Sequence, residues 1–191
     1  MRETVRAFTL IEMMVSITIF AIVMMVAVGA LLALVGTNER AQAIHSVMNN
    51  LNAALDDMSR SIRVGTTYHC AAIATDLSNI DTPADCAMGG GKLLSFESAT
   101  GNTALSTDQI VYRLNGTQLE RSLTSGSINS WVAITAPEVS ITTFDFYVVG
   151  STQGDVVQPR VLMRIKGSAK VPGGTSNFDV QASVVQRVLY I

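Results

Sequence analysis

The feature that most limits the possible folds is a run of 23 residues without a formal charge, at positions 13–35. As an α-helix this run is about 35 Å long, which is enough to cross the hydrocarbon core of a bilayer. The apolar core of a secretory signal peptide is shorter, about 7–15 residues, and a small-residue cleavage site follows it. Here the chain instead continues into a polar stretch with helical periodicity. We therefore expect a membrane-spanning helix that stays in the mature protein.

The basic residues on either side of this run predict its orientation. Arg2 and Arg6 precede the run, and the next basic residue after it is Arg40. Basic residues close to a spanning helix favour the cytoplasmic side of the membrane. We expect a single-pass membrane protein with a cytoplasmic N-terminus and an extracytoplasmic head.

Glu12 is a carboxylate at the very start of the apolar segment. A charge at mid-bilayer costs at least about 2.5–3.5 kcal/mol, and less near the interface. Two interpretations are open. The carboxylate lies among the lipid headgroups, where the positive N-terminus of the helix stabilises it, or it is paired with a cation.

The residues around Glu12, followed at once by a long apolar helix, resemble the prepilin processing site of type IV pilins and type II secretion pseudopilins. The matching residues are Arg6, Ala7, Phe8, Thr9, Leu10, Ile11 and Glu12. The resemblance implies that a prepilin peptidase cuts between Ala7 and Phe8 and methylates the new N-terminus of Phe8. It also implies that Glu12, the fifth residue of the mature chain, pairs with the terminal ammonium of a neighbouring subunit during assembly. The sequence departs from the family pattern at Ala7, where Gly is usual, and at Gly29, where many major pilins have Pro.

The spacing of the Phe8 ammonium and the Glu12 carboxylate also favours pairing between helices on geometric grounds alone. An ammonium on Phe8 and the carboxylate of Glu12 are four residues apart, or about 6 Å along one helix face. Two helices staggered by one turn bring the ammonium of one helix to the carboxylate of the other. In an apolar helix bundle such a pair fixes the axial register, because any other stagger leaves a desolvated charge unmatched.

Apolar residues continue beyond the run at intervals of three and four, which is typical of an amphipathic helix. They are Ile44, Val47, Met48, Leu51, Leu55, Met58 and Ile62. We expect one continuous helix from about Phe8 to Val64, ended by Gly65, whose second half covers a β-sheet.

Cys70 and Cys86 are the only cysteines in the chain, and their spacing is not the C-x-x-C of a zinc ribbon or a redox site. We expect them to form a structural disulfide within a loop region at residues 65–91. Closing a loop of this size stabilises a fold by about 3 kcal/mol in the chain-entropy model. The disulfide also requires an oxidising compartment.

The hydrophobic period changes to two after residue 91, which predicts β-strands. The expected strands are at residues 92–97, 109–114, 117–123, 131–135, 141–149, 160–166 and 178–190. Asn115 and Gly116 are a strong hairpin signal, and the alternation of Val161, Met163 and Ile165 indicates one buried face. The fold class is α+β, with a long N-terminal helix packed on an antiparallel β-sheet head.

The expected organisation has five parts. They are a leader peptide at residues 1–7, a transmembrane and filament-core helix at 8–35, its amphipathic continuation at 36–64, the disulfide-closed loop at 65–91 and the β head at 92–191.

The sequence offers little evidence for a catalytic site, a metal site or a nucleic-acid-binding surface. A net charge of -2 gives no basic footprint for nucleic acid. His69 and Asp85 flank the two cysteines, but a disulfide-bonded sulfur is not a metal ligand. Asp76 and Asp81, like Asp85, do not match the EF-hand pattern, although the resemblance leaves calcium in a loop open, since some pseudopilins bind it there. We expect no enzymatic activity, no catalytic residue, no cofactor and no metal.

Two functions remain. The first is a structural subunit, minor rather than major, of a type IV pilus or type II secretion pseudopilus, and the larger head resembles that of J-type pseudopilins. Its expected partners are the prepilin peptidase, other pilin or pseudopilin subunits, the inner-membrane assembly platform and membrane lipid. After assembly it would lie in an extracellular or periplasmic filament. The alternative is a membrane-anchored binding module or adhesin that never polymerises.

Overall fold

The protein is described here from a computed structural model that covers residues 8–86, 88–102, 105–152, 154, 157–172 and 174–187. The chain divides into two compact units, Met1–Gln42 and Ala43–Ile191. Helix α1, Leu10–Val64, begins in the first unit and ends in the second. The first unit contributes the helix residues up to Gln42, and all of its described side chains are exposed.

In the second unit, one face of α1 is buried in the hydrophobic core. The buried residues are Val47, Leu51, Ala54, Leu55, Met58 and Ile62. They recur every three or four positions and so form one stripe along the helix. Apart from Ala54, all of them belong to the apolar series that the sequence predicted, because burying that face removes the largest apolar area from water.

In the described residues, eight antiparallel strands follow the helix in two sheets. The first sheet has the order β1-β2-β3-β4-β5 and the second the order β6-β7-β8. The strands are β1 Thr66–Ala71, β2 Leu93–Glu97, β3 Ile110–Asn115, β4 Gln118–Ser122, β5 Val132–Ala133, β6 Val139–Val149, β7 Arg160–Val171 and β8 Gly174–Val185. The predicted α+β class, with the helix packed on antiparallel sheets, is confirmed.

The core lies between the stripe on α1 and the inner faces of both sheets. In β7 the residues Val161, Met163 and Ile165 are buried and their neighbours are not, as the alternation predicted. A hairpin joins β3 and β4 as predicted, but its two-residue turn is one position later than expected: Asn115 pairs with Gln118 at the end of β3, and Gly116, with a φ of 57°, and Thr117 form the turn. Glycine adopts this left-handed conformation without steric cost.

Three of the sequence predictions need correction. The stretch at residues 65–91 is not all loop, because Thr66–Ala71 forms β1 and pairs with β2. The hairpin of β7 and β8 extends further towards its turn than predicted, since β7 runs to Val171 and β8 begins at Gly174. Both segments are poor in large apolar residues, and their strand conformation comes from cross-strand pairing, which a local pattern does not record.

The last strand ends earlier than predicted, at Val185, because Gln186 and Arg187 instead bond to the chain at the end of the helix. Residues 188–190 lie outside the described residues.

Residues of the head bind the free carbonyls at the C-terminal end of α1. The Tyr68 hydroxyl lies 2.6 Å from Ile62 O and 2.7 Å from Gly65 O. Gln186 Nε2 donates to Gly65 O at 2.9 Å, and the Arg187 amide donates to Arg63 O at 2.8 Å. These bonds satisfy groups that a helix end otherwise leaves without a partner.

Gly65 ends the helix for a steric reason. A Cβ at this position would collide with the Phe96 ring and approach Glu97 O to 3.1 Å. Only a residue without a side chain allows the chain to turn here against β2.

Cys70 and Cys86 form the predicted disulfide, which joins β1 to the following loop across 16 positions. Backbone hydrogen bonds hold the same loop: Cys70 N donates to Ala84 O at 3.0 Å and Cys86 N to Val148 O at 3.1 Å. The loop is therefore attached both to β1 and to the second sheet.

Replacing Tyr68 by Phe should lower the free energy of unfolding by about 0.5–1.5 kcal/mol, because the buried carbonyls of Ile62 and Gly65 lose one donor while each keeps another. Urea titration of the full chain in detergent, followed by Trp131 fluorescence, measures this change. Tyr147→Phe is the matched control, since the Tyr147 hydroxyl forms no hydrogen bond with any described residue, and it should leave stability nearly unchanged. Equal stability of Tyr68→Phe and the wild type would show that the hydroxyl does not hold the helix end.

Candidate functional site

The first turn of α1 is fixed by Thr9, which lies immediately before the helix. The Glu12 amide donates to Thr9 Oγ1 at 3.3 Å, and the Met13 amide donates to Thr9 O at 3.3 Å. Thr9 is therefore the N-cap, and Glu12 is the third residue of the helix. Threonine followed three residues later by glutamate is the sequence signature of a capping box.

The carboxylate of Glu12 sits at the positive end of the helix dipole, where a negative charge is favoured. Its side chain is exposed, and no residue in the described part of the chain forms an ion pair with it. The chain itself thus places the charge at the surface of the helix and leaves it available to an external cation.

The other polar side chains of this segment satisfy their hydrogen bonds within the helix. Ser16 Oγ donates to Glu12 O at 2.7 Å, Thr18 Oγ1 to Met14 O at 2.7 Å, and Thr37 Oγ1 to Leu34 O at 2.9 Å. Hydroxyls bonded in this way are compatible with an apolar environment. Glu12 is the only charged residue from Phe8 to Asn38, so it alone retains an unsatisfied charge.

The apolar side chains of the first unit lack partners on every side of the helix. From Phe8 to Val35 the large ones are 47–79% exposed. Within the described residues, α1 is the one helix long and apolar enough to cross a membrane. A surface of this kind requires lipid or other apolar helices around it.

The remaining predicted site residues are placed as follows. Ala7 lies outside the described residues, and Phe8 precedes the helix with its ring 75% exposed. The described residues contain no group of three or more His, Cys, Asp or Glu side chains that could hold a metal. Asp85 instead accepts hydrogen bonds from Gly150 N at 3.1 Å and Ser151 N at 2.9 Å.

A family model described as the prokaryotic N-terminal methylation motif matches residues 4–28. The chain carries the N-terminal motif of the type IV pilin and pseudopilin family. The match includes the predicted cut site, Glu12 and the apolar run up to residue 28. No curated protein and no solved structure matches the chain.

The prepilin motif implies processing by a prepilin peptidase and assembly with other pilins. Its family is structural rather than enzymatic. In a prepilin-type chain, the exposed apolar helix of the first unit has the composition of a membrane anchor. The capping role of Thr9 was not recognised from the sequence, although the spacing of Thr9 and Glu12 was sufficient to find it.

Replacing Thr9 by Val should remove the cap bond to the Glu12 amide while keeping the shape of the side chain. Loss of an N-cap costs about 0.5–2 kcal/mol. Amide hydrogen exchange in micelles, measured by NMR, should therefore be faster at Glu12. Thr9→Ser retains the hydroxyl and should keep the protection, and unchanged exchange in Thr9→Val would contradict the capping assignment.

Proposed function

We propose that this chain is a minor structural subunit of a type IV pilus or a type II secretion pseudopilus. It is cut between Ala7 and Phe8, methylated on Phe8 and assembled through its N-terminal helix. The observation that carries the proposal is Glu12, a single exposed carboxylate without an ion pair among the described residues, at the start of an otherwise uncharged helix.

Removal of residues 1–7 creates the cation that Glu12 requires. The new ammonium on Phe8 lies four residues before Glu12, which is about 6 Å along the helix. Within one helix the Glu12 carboxylate already lies at the dipole's positive end, and a neighbouring helix shifted by one turn brings its own ammonium to this carboxylate. The pair is strong where water is excluded, and a wrong register leaves both charges desolvated and unmatched.

The exposed apolar side chains support assembly in the same segment. In the membrane they contact lipid, and in a filament they contact the equivalent helices of neighbouring subunits. Lipid tails are as apolar as these side chains, so transfer between the two environments costs little hydrophobic free energy. The ion pair of Glu12 with the neighbour's ammonium then fixes the axial register of the helices, which apolar contacts alone do not fix.

The head supports a minor subunit and an extracytoplasmic location. The described part of the head has eight strands in two sheets, which resembles the larger heads of minor pilins and pseudopilins. The disulfide between Cys70 and Cys86 agrees with an oxidising compartment, and Arg2 and Arg6 favour a cytoplasmic N-terminus. The assembled filament would then be periplasmic or extracellular.

Mass spectrometry of the mature chain tests the processing step. Co-expression with a prepilin peptidase should give a protein that begins at Phe8 and carries one methyl group on its amine. The control lacks the peptidase and should keep residues 1–7. An intact N-terminus in the presence of the peptidase would contradict the proposal and favour a simple membrane anchor for a binding module.

Replacing Glu12 by Ala should block incorporation into sheared filaments without unfolding the head, because the neighbour's ammonium loses its partner. Glu39→Ala is the matched control, since Glu39 is an exposed carboxylate on the same helix beyond the apolar run. It should be incorporated normally. Immunoblots of sheared filaments measure incorporation, and wild-type levels of Glu12→Ala in filaments would overturn the assembly mechanism.

A further inference from the structure

The ion pairs of the head leave half of its basic residues without a carboxylate partner. Ten Lys and Arg residues lie in the second unit, Ala43–Ile191, and five of them form ion pairs with described carboxylates. All of the other five are exposed, and the proposed function does not use them. They are Arg60, Arg63, Arg160, Lys170 and Arg187.

Three of these arginines meet at the end of α1, although they come from separate parts of the chain. Arg63 is in the last turn of α1, Arg160 begins β7, and Arg187 follows the end of β8. The Arg187 amide donates to Arg63 O at 2.8 Å, which joins the end of the helix to the end of the second sheet. We call these three residues the arginine cluster.

The pairing of β7 with β8 brings Arg160 close to Arg187. Arg160 pairs with Val185, and beyond this pair the Gln186 amide donates to Pro159 O at 2.9 Å. The antiparallel pairing thus continues past Val185, and Arg187, two residues further on, is a diagonal neighbour of Arg160. Diagonal neighbours are about 7–8 Å apart, which is within reach of long side chains.

The helix dipole accounts for only part of this cluster. A cation at the C-terminal end of a helix is favourable, which explains Arg63. It does not explain Arg160 and Arg187, which the second sheet brings to the same place. Arg60 is one turn before Arg63, but Asp56 lies four residues before Arg60, a spacing at which opposite charges attract on a helix.

Three like charges in one place require an anion from outside. No described Asp or Glu forms an ion pair with any member of the arginine cluster. Like charges that lie close together repel one another, and a bound carboxylate or phosphate relieves the repulsion. Guanidinium groups bind either anion through two parallel hydrogen bonds.

The exposure of the cluster favours a protein over a small anion. All three side chains are exposed, whereas small ligands bind in concave sites that enclose most of their surface. The prepilin motif also implies assembly with other pilins, so the heads of other subunits are the protein surfaces available to this one. The expected partner is therefore a carboxylate-rich surface on such a head.

We propose that the arginine cluster binds an acidic surface on the head of an adjoining pilin subunit. This inference rests on the proposed function, because it requires that the chain enters a filament. Charge complementarity between protein surfaces selects the partner and its orientation more than it adds affinity. Glu12 fixes the register of the helices, and the arginine cluster decides which subunit lies beside this head.

Reversing two charges of the cluster tests the proposal. Arg160→Glu combined with Arg187→Glu should lower incorporation into sheared filaments by at least about tenfold, because the neighbour's carboxylates then face like charges. Arg160→Lys combined with Arg187→Lys keeps both charges and should retain most of the incorporation. An unchanged Tm of each variant in detergent shows that the head is folded.

Lys170→Glu is the matched control. Lys170 is an exposed cation without an ion pair among the described residues, and it lies near the opposite end of β7 from Arg160. The same charge reversal at this position should leave incorporation at the wild-type level.

Photo-crosslinking identifies the partner directly. Val185 pairs with Arg160 and is 43% exposed, so a crosslinking side chain there samples the surface next to the cluster. Val185→benzoylphenylalanine should cross-link to another pilin subunit in intact filaments, and mass spectrometry of the product identifies that subunit. Adding Arg160→Glu and Arg187→Glu should abolish the cross-link.

Two results would overturn this inference and leave the proposed function intact. They are wild-type incorporation of the chain with both charges reversed, and a cross-link from position 185 to lipid or polysaccharide only. A wild-type chain that keeps residues 1–7, or that is absent from filaments, would instead overturn the proposed function and this inference with it.

Discussion

The environment that α1 requires changes along its length, and the rest of the structure depends on this change. Up to Val35 the helix is apolar on all sides, and its described side chains are exposed. From Val47 onwards only one face is apolar, and the two sheets bury that face. A single secondary-structure element thus obtains its apolar surroundings from outside the chain in its first part and from the chain itself in its second part.

Glu12 has an electrostatic requirement that the described part of the chain does not meet. It is the only charged residue from Phe8 to Asn38, and no described residue forms an ion pair with it. An uncompensated charge in an apolar environment costs several kcal/mol, so this position selects for a cation supplied from elsewhere. In our proposal that cation is the N-terminal ammonium of a neighbouring subunit.

The end of α1 is held in the head by hydrogen bonds as well as by its apolar contacts. Tyr68 and Gln186 donate to helix carbonyls from opposite ends of the head sequence, and burial raises the pKa of the Tyr68 hydroxyl, which keeps it a donor. Gly65 adds a steric condition, since β2 leaves no space for a side chain there. The disulfide then attaches the loop after β1, so that the segment joining helix and sheet is fixed at several points.

The sequence by itself determined the apolar run, the isolated charge of Glu12, the amphipathic stripe beginning at Val47 and, to within one residue, the hairpin turn that contains Gly116. These are local patterns, because each depends on the residue types within a few turns of helix or one hairpin. Only the tertiary structure decided that Thr66–Ala71 is a strand, that Gln186 caps a helix ending at Val64, and that Gln109 meets Glu97. Those contacts join residues 12 to more than 100 positions apart, and their free energy comes from pairing and burial that exist only once the chain has folded.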